Sequence, residues 1–466
     1  MSDLENAEIL NPDYKPNLFD IHRYYDSYCR YGQYKPVVGN NESRMTIPLL
    51  FGLQKVSVVV KGPAGSGKST IARAAANLIW GDKVLHDEIK EVFYIAGTSE
   101  KALLTDTLAN RIANICTHCV VPELQNAISN ERVEAIINLW TEGEAYPYKR
   151  ADHGGRITRE ITLKPLPILT SIATENKYTE RLGEEMERRF FPFYTTATLV
   201  LNKEIHKVKA MARARCDEDN ISMSEEEKRI LRYHLQSAMR LKLKVRNPSA
   251  VYMEEAIPSN YVVSNSMIEY WFELVEGITK FFYPERITYK DKYLIATPGD
   301  NYLAWRLGGS AIVLASLNIP DLGREVIEIL PIRDGLDMQA KKSLNEIIDD
   351  LQHIGVERTR KQVLQIMKAL ESVNYARRDD FNRDDFYKTQ NYKFDTSVDW
   401  GAVIKSTAAT IKDTQPEIAE DYINKYCKDP KVIDPFTNQS VSLLDIPYEK
   451  VPEMQVKETL QLEKYF

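Results

Sequence analysis

Residues 56–79, with the sequence VSVVVKGPAGSGKSTIARAAANLI, decide the fold. The β-branched run at 56–60 predicts a buried strand, and the alanine-rich segment 69–79 predicts a helix. Between them, GPAGSGKS matches GxxxxGK(S/T), a loop that curls its backbone around phosphate oxygens. Because strand, glycine-rich loop and helix occur in the order that this pattern requires, we expect a phosphate-binding loop at the carboxyl end of a strand.

The loop residues have distinct expected roles. Gly62, Gly65 and Gly67 allow successive backbone N–H groups to point at an anion, which the positive end of the following helix also favours. Lys68 is expected to reach the β- and γ-phosphates, and Ser69 to coordinate Mg²⁺. The predicted cofactors are therefore ATP and Mg²⁺. The predicted nucleotide-contacting residues are Gly62, Pro63, Ala64, Gly65, Ser66, Gly67, Lys68, Ser69 and Thr70.

The rest of the chain divides by sequence pattern. Short apolar runs at 92–97, 119–124 and 167–174 alternate with helical spacing, which predicts an α/β fold with a parallel sheet covered by helices. A chain of 466 residues suggests about three domains. The expected divisions are an N-terminal arm or small element at 1–50, a nucleotide-binding core at 51–202, a helical region at 203–320, a three-helix unit with two strands at 321–399 and a C-terminal extension at 400–466.

Charge and cysteine content limit the classes of protein. The 61 basic and 67 acidic residues give a net charge of −6, which argues against a uniformly basic nucleic-acid coat but allows local basic surfaces. Five cysteines are too few for a disulfide framework in a chain of this length, so a reducing compartment is expected. The sequence has neither a signal-like start nor a long apolar run, so the expected location is the cytoplasm, with no membrane partner.

Hydrolysis of ATP needs a carboxylate to orient the attacking water. Glu123 follows an apolar strand and is the favoured candidate, although Pro122 occupies the position where an aspartate usually precedes the glutamate. The competitor is the pair Asp87–Glu88, which only two apolar residues precede. Alternatively, Glu123 only caps the connection between a strand and a helix.

A basic hairpin is predicted after this acidic element. Residues 145–166, AYPYKRADHGGRITREITLKPL, predict two strands around a turn at Gly154 and Gly155. Such a hairpin suits contact with a phosphate backbone in a pore, and the alternative is an ordinary solvated hairpin. The residues proposed to contact the backbone are Lys149, Arg150, Arg156 and Arg159.

Two further polar positions follow the hairpin. Asn176 lies just beyond the apolar run at 167–174, where a polar side chain can hydrogen-bond the γ-phosphate or the attacking water. Arg188 and Arg189 lie near a predicted helix end. An arginine that a neighbouring subunit supplies to the nucleotide site would stabilise the charge on the transferred phosphoryl group. The alternative for these arginines is pairing with glutamates 184, 185 or 187 at helical spacing.

The order of phosphate loop, acidic strand end, hairpin, polar strand tip and arginine resembles the AAA+ ATPase family over roughly residues 50–200. The hairpin narrows the resemblance to the branch that includes minichromosome-maintenance-type replicative helicases. PELQ at 122–125 followed by Thr-Glu-Gly at 141–143 is similar to archaeal replication-type AAA+ proteins with a degenerate acidic motif. The resemblance implies a homo-oligomeric ring, a hexamer, with ATP at subunit interfaces, and a helical lid at 203–320 that offers Arg240 or Arg246 to the phosphates. A solvated basic helix face is the alternative for the lid arginines.

The segment 321–399 predicts a helix-turn-helix with a β-wing. Helices are expected at 321–330, 343–353 and 357–373, and wing strands at 375–380 and 392–395. The start of the third helix, with Thr359 and Gln362, would meet base edges in a major groove. Protein contact is the alternative use of a winged helix. The basic residues proposed to bind DNA here are Arg358, Arg360 and Lys361.

Together these features predict an ATP-dependent DNA translocase or helicase of replication type. A single strand is expected in the ring pore and a duplex at the winged helix. The alternatives are an ATP-switched DNA-binding initiator or loader and an AAA+ transcriptional regulator.

Overall fold

The computed structural model describes residues 14–28, 40–62, 66–86, 88–95, 106–127, 131–151, 157–173, 189–195, 223–254, 256–257, 264–316, 323–331, 340–353, 359–372, 375–388 and 398–448, together with 203, 206 and 210. Within these ranges, no helix has both the length and the apolar character needed to cross a membrane.

A five-stranded parallel sheet lies at the centre of the N-terminal half. The first seven strands are β1 (Val58–Gly62), β2 (Val92–Tyr94), β3 (His118–Val121), β4 (Tyr146–Ala151), β5 (Ile157–Leu163), β6 (Ile168–Ala173) and β7 (Phe191–Tyr194). The sheet has the order β2–β3–β6–β1–β7, and every neighbouring pair is parallel. The expected α/β class with a parallel sheet is therefore confirmed. The strand β7, with the short sequence FPFY, is an addition that the sequence pattern did not predict.

Helices cover both faces of this sheet. The helices of this half are α1 (Leu18–Tyr28), α2 (Asn40–Ile47), α3 (Lys68–Trp80), α4 (Asp106–Asn114), α5 (Leu124–Ala127) and α6 (Glu131–Thr141). Alternate strand residues point to opposite faces, so Val58 and Val60 join the core that contains α3, whereas Val59 joins the core that contains α4 and α6. The alanines along α3 allow that helix to lie close against the strand that precedes it.

The N-terminal element is integrated into the core. Residues Leu18, Ile21, Tyr24 and Tyr25 of α1 are buried, and α2 continues into a buried π-helical segment, Pro48–Gln54. His118, at the start of β3, lies 3.0 Å through Nε2 from the carbonyl oxygen of Phe51. Burial lowers the pKa of His118 to about 3, so the ring is neutral and donates this hydrogen bond.

The basic hairpin forms as expected. Strands β4 and β5 pair antiparallel, with Tyr146 opposite Leu163 and an irregularity between Arg150 and Ala151. Leu163 is buried in the core beside α4 and α6, with Tyr146 and Ile161 packed against it, so the base of the hairpin is anchored. The turn at 152–156 lies outside the described residues.

A helical region follows the sheet. It contains α7 (Glu225–Met239), α8 (Ala250–Glu254), α9 (Ser264–Phe281), α10 (Pro298–Ala304) and α11 (Ser310–Ser316), with a small sheet of β8 (Lys244–Arg246), β9 (Thr288–Tyr289) and β10 (Tyr293–Ile295). Ser224 and Glu227 form a capping box at the start of α7. From α7, Arg232 donates to the carbonyl oxygens of Leu78 and Asn77. These contacts place α7 at the carboxyl end of α3, and therefore a full helix length from the glycine-rich loop.

Three helices and a small sheet form the next unit. They are α12 (Gly323–Ile329), β11 (Lys342–Ser343), α13 (Leu344–His353), α14 (Arg360–Ser372), β12 (Ala376–Arg378) and β13 (Asp385–Lys388), with the sheet order β11–β13–β12. The strand β12 pairs with β13, which the sequence pattern did not predict, and the predicted wing strand at 392–395 lies outside the described residues. Asp379 stabilises the turn that follows β12, since its carboxylate accepts the N–H groups of Phe381 and Asn382.

The C-terminal segment packs on the helical region. It contains α15 (Trp400–Thr414), α16 (Ala419–Tyr426) and a hairpin of β14 (Lys431–Ile433) and β15 (Ser440–Ser442). Trp400 is buried with its ring 5.3 Å from that of Tyr302, and the Tyr422 hydroxyl donates to the carbonyl oxygen of Ala296 at 2.6 Å. Residues 398–448 are therefore part of the core and not a separate tail.

Candidate nucleotide site

The glycine-rich loop follows β1, an interior strand between β6 and β7, and enters α3. Gly67 caps the helix with φ = 86°, a left-handed conformation that glycine adopts without strain, and its carbonyl oxygen accepts the N–H of Ile71. Lys68 is the first helical residue and is buried. Residues 63–65 lie outside the described part of the loop. The strand and the helix thus lie on either side of the glycine-rich loop, as the sequence pattern predicted.

The loop is fastened to the end of β7. The N–H and the hydroxyl of Thr195 both donate to the carbonyl oxygen of Lys61, so the Ser66 hydroxyl, 2.6 Å away, donates to Thr195. A Cβ at Gly62 would lie 2.2 Å from the Thr195 hydroxyl oxygen, and only glycine fits there. Sequence patterns missed Thr195, because its contact with Ser66 spans 129 positions.

A chain of hydroxyl groups links α3 to two strands. The Ser69 Oγ lies 3.3 Å from the Ser171 Oγ, and the Ser171 hydroxyl donates to the carbonyl oxygen of Pro122 at 2.5 Å. Ser171 is 1 % exposed and belongs to β6, whereas Pro122 directly follows β3. The predicted magnesium ligand is thus joined to the position where an aspartate was expected.

The two acidic candidates lie at opposite edges of the sheet. Glu123 follows the carboxyl end of β3 and is exposed, directly after the Pro122 carbonyl that Ser171 contacts. Glu88 precedes the amino end of β2, and because the strands are parallel it lies at the edge away from the loop. Asp87 lies outside the described residues. The topology therefore favours Glu123 as the carboxylate near the loop.

The polar strand tip and the arginines are only partly described. Asn176 and Arg188 lie outside the described residues. Arg189 is described, and its guanidinium forms an ion pair with Glu142, just after α6. That partner is in the same chain and differs from the neighbouring glutamates that helical spacing suggested.

The hairpin brings the basic positions of its two strands together. Lys149 is exposed and forms an ion pair with Glu160 across the hairpin, at 3.1 Å. The register pairs position 150 with position 159, and both residues are arginine. Arg156 lies outside the described residues.

The start of α14 has a hydrogen-bonded arrangement. The backbone N–H of Thr359 donates to the side-chain oxygen of Gln362, and the N–H of Gln362 lies 3.4 Å from the Thr359 hydroxyl, which is the geometry of a capping box. The Arg360 guanidinium donates to Asn345 at 2.6 Å and to Asp384 at 3.3 Å. Lys361 is exposed, and Arg358 lies outside the described residues.

Comparison of the whole sequence with protein-family models gives no match, and comparison with curated proteins gives none either.

Proposed function

We propose that this chain binds ATP with Mg²⁺ at residues 62–70 and hydrolyses it, in a core of the AAA+ kind. The observation that carries the proposal is the convergence of the loop, Ser69 and Glu123 on one edge of a parallel sheet. Backbone N–H groups and the amino end of α3 favour a polyphosphate there. Lys68 adds a cation at the first position of the same helix.

The residues present fit a magnesium ion bound with the nucleotide. Mg²⁺ prefers oxygen ligands and keeps several waters, so one hydroxyl such as Ser69 together with phosphate oxygens makes a reasonable site. When bound beside Ser69, Mg²⁺ would supply positive charge next to the phosphates. Glu123 is proposed to orient the attacking water, and Asn176, three positions after β6 in the sequence, is proposed as a hydrogen-bond donor.

The arginine contribution is proposed to come from a neighbouring subunit of a hexameric ring. Arg189 would have to leave Glu142 to reach another subunit, and Arg188 is the alternative carrier. Arg240 and Arg246, in the proposed helical lid at 203–320, are weaker candidates. Arg246 lies over the Tyr293 ring at 4.6 Å, and α7 contacts the end of α3 that is remote from the loop.

We further propose that ATP turnover drives translocation on DNA or its unwinding. The hairpin supplies the basic pore surface, because the sequence places basic residues on both of its strands and a phosphate backbone is the counter-charge they would bind. The three-helix unit at 323–388, proposed as a winged helix, supplies a duplex contact through α14.

A second candidate is an ATP-switched DNA-binding initiator or loader, or a transcriptional regulator. It is favoured by the exposed basic residues of α14, because a duplex-binding helix serves these roles without movement along a strand.

Strand displacement with purified protein, a forked DNA and ATP tests the proposal, with the Lys68→Ala variant as control. Release of the strand that needs both ATP and Lys68 supports a helicase. ATP-dependent duplex binding without release supports the second candidate. If the wild-type chain neither binds nor hydrolyses ATP, both candidates are wrong.

A further inference from the structure

We propose that Ser171 is a positioning residue that orients the Ser69 hydroxyl towards Mg²⁺, replacing the carboxylate that is missing at position 122. This inference rests on the proposed nucleotide site and names a residue that no part of the loop motif contains.

The position of Ser171 follows from the register of three strands. Val60 of β1 pairs with Ser171, and Thr170 pairs with Val121, the last residue of β3. Ser171 alternates with Thr170 and shares the face of Leu169, which packs in the core that contains α3. Its hydroxyl therefore points to the helix that carries Ser69 and reaches Pro122 at the end of the adjacent strand.

The direction of the two hydrogen bonds is fixed by chemistry. A serine hydroxyl has one hydrogen to donate and two lone pairs. The Pro122 carbonyl can only accept, so the Ser171 hydrogen is committed to it. The contact between Ser69 and Ser171 must then use the Ser69 hydrogen as donor. Among the described residues, no donor contacts Ser69, so both Ser69 lone pairs are left for a cation.

This arrangement replaces one of the two contributions that an aspartate at position 122 would make. A carboxylate there would accept the Ser69 hydrogen and add negative charge near the metal. Here the Ser171 hydroxyl accepts the same Ser69 hydrogen and donates its own to the Pro122 carbonyl, but it adds no negative charge. We therefore expect Mg²⁺ to be held mainly by the nucleotide phosphates, with an affinity that depends on how well Ser69 is oriented.

The test measures the Mg²⁺ dependence of nucleotide binding and of ATP hydrolysis in full-length protein. Ser171→Ala should raise the Mg²⁺ concentration for half-maximal binding of a fluorescent ATP analogue by about threefold to tenfold, the usual effect of one hydrogen bond. Binding of the analogue in EDTA should be unchanged. Ser171→Thr, which keeps the hydroxyl, should retain the wild-type Mg²⁺ dependence.

The matched control is Thr170→Val. Thr170 is buried on the same strand with its side chain towards the opposite face, and within the described structure its hydroxyl has no hydrogen-bond partner. Removing that hydroxyl should leave the Mg²⁺ dependence unchanged. If Ser171→Ala does not fold, Ser171→Cys keeps a similar shape with a much weaker donor and should shift Mg²⁺ dependence in the same direction.

The outcomes separate this inference from the proposed function. If wild-type protein binds nucleotide in a Mg²⁺-dependent manner and folded Ser171→Ala or Ser171→Cys does so identically, the role of Ser171 is wrong while the nucleotide site stands. If wild-type protein binds no nucleotide with or without Mg²⁺, the proposed site itself is wrong.

Discussion

The loop edge of the parallel sheet and the start of α14 both contain polar groups, but the two regions use them differently. At the loop edge, groups from α3, β6 and the end of β3 meet in one chain of contacts, from Ser69 to Pro122. At α14, Thr359 and Gln362 bond each other, and Arg360 bonds Asn345 and Asp384. The first region joins groups from distant parts of the chain, whereas the second satisfies many of its groups within its own three-helix unit.

This difference shows that a sequence motif specifies binding through backbone groups more directly than binding through long side chains. A phosphate loop binds mostly through backbone N–H groups, whose direction follows from local conformation. A DNA-reading surface binds through long side chains, and neighbouring residues compete for their hydrogen bonds. Exposed Lys361 is therefore a better candidate for phosphate contact than Arg360, which already has two partners.

The largest expected effect is at the loop. Lys68→Ala should lower kcat/KM for ATP hydrolysis by about a thousandfold, because a cation aimed at the transferred phosphate stabilises the transition state. Steady-state phosphate release measures this. Lys83→Ala is the control, since Lys83 is exposed in the turn that follows α3. Near-normal turnover by Lys68→Ala would show that the loop takes no part in ATP hydrolysis.

The next effect separates the two edges of the sheet. Glu123→Gln should leave ATP bound but reduce turnover by about a hundredfold, because the amide cannot take a proton from the attacking water. Glu88→Gln, at the opposite edge, should have normal turnover. Binding of labelled ATP and single-turnover hydrolysis give the two quantities. The reverse result, with Glu88→Gln inactive, would show that the edge assignment is wrong.

A smaller effect is expected at α14. The double substitution Arg360→Ala and Lys361→Ala should weaken duplex binding by about tenfold and reduce the slope of log affinity against log salt, with Lys361→Ala alone giving most of the change. Lys405→Ala with Lys412→Ala on exposed positions of α15 is the control. An unchanged slope would mean that α14 does not contact phosphates.

Point substitutions are better for this purpose than truncation near residue 320. Truncation there would also remove α15, whose Trp400 is buried against Tyr302 of the helical region. Loss of DNA binding would then not distinguish a missing contact from a damaged core.

The smallest expected effect lies outside both regions and concerns the stability that is lost when a charged carboxylate is buried. Burial raises the pKa of Glu273 on α9 to about 7. The negative charge of Glu276 adds to this increase in pKa, and the positive charge of Lys280 opposes it. Because the folded-state pKa lies above the ordinary value of 4.5, stability from this group is lost as the pH rises towards and through 7. Glu273→Gln should therefore be more stable than wild type at pH 8 by about 1 kcal/mol after allowance for solvent screening.

Urea unfolding at pH 8 and pH 4 measures this difference, which should shrink towards pH 4, where the wild-type carboxyl is protonated in both states. Glu254→Gln, at an exposed position, is the control. An equal effect of Glu273→Gln at both pH values would contradict the assigned pKa.

Local pattern was sufficient where the structure is local. The strand and helix around the loop, the hairpin strands and the helices α13 and α14 lie within a few residues of their predicted positions, because hydrophobic periodicity and turn residues report on neighbouring positions. The strands β7 and β13 were not predicted, since strands of only four residues carry little periodic signal.

The motif GPAGSGKST by itself determined where a glycine-rich loop joins a strand to a helix and which residues begin that helix, because backbone direction there depends on adjacent glycines. Only the tertiary structure decided which groups support that loop. Ser69 meets Ser171 across 102 positions and Ser66 meets Thr195 across 129, contacts that exist only because parallel strands in a particular order and register bring their carboxyl ends together.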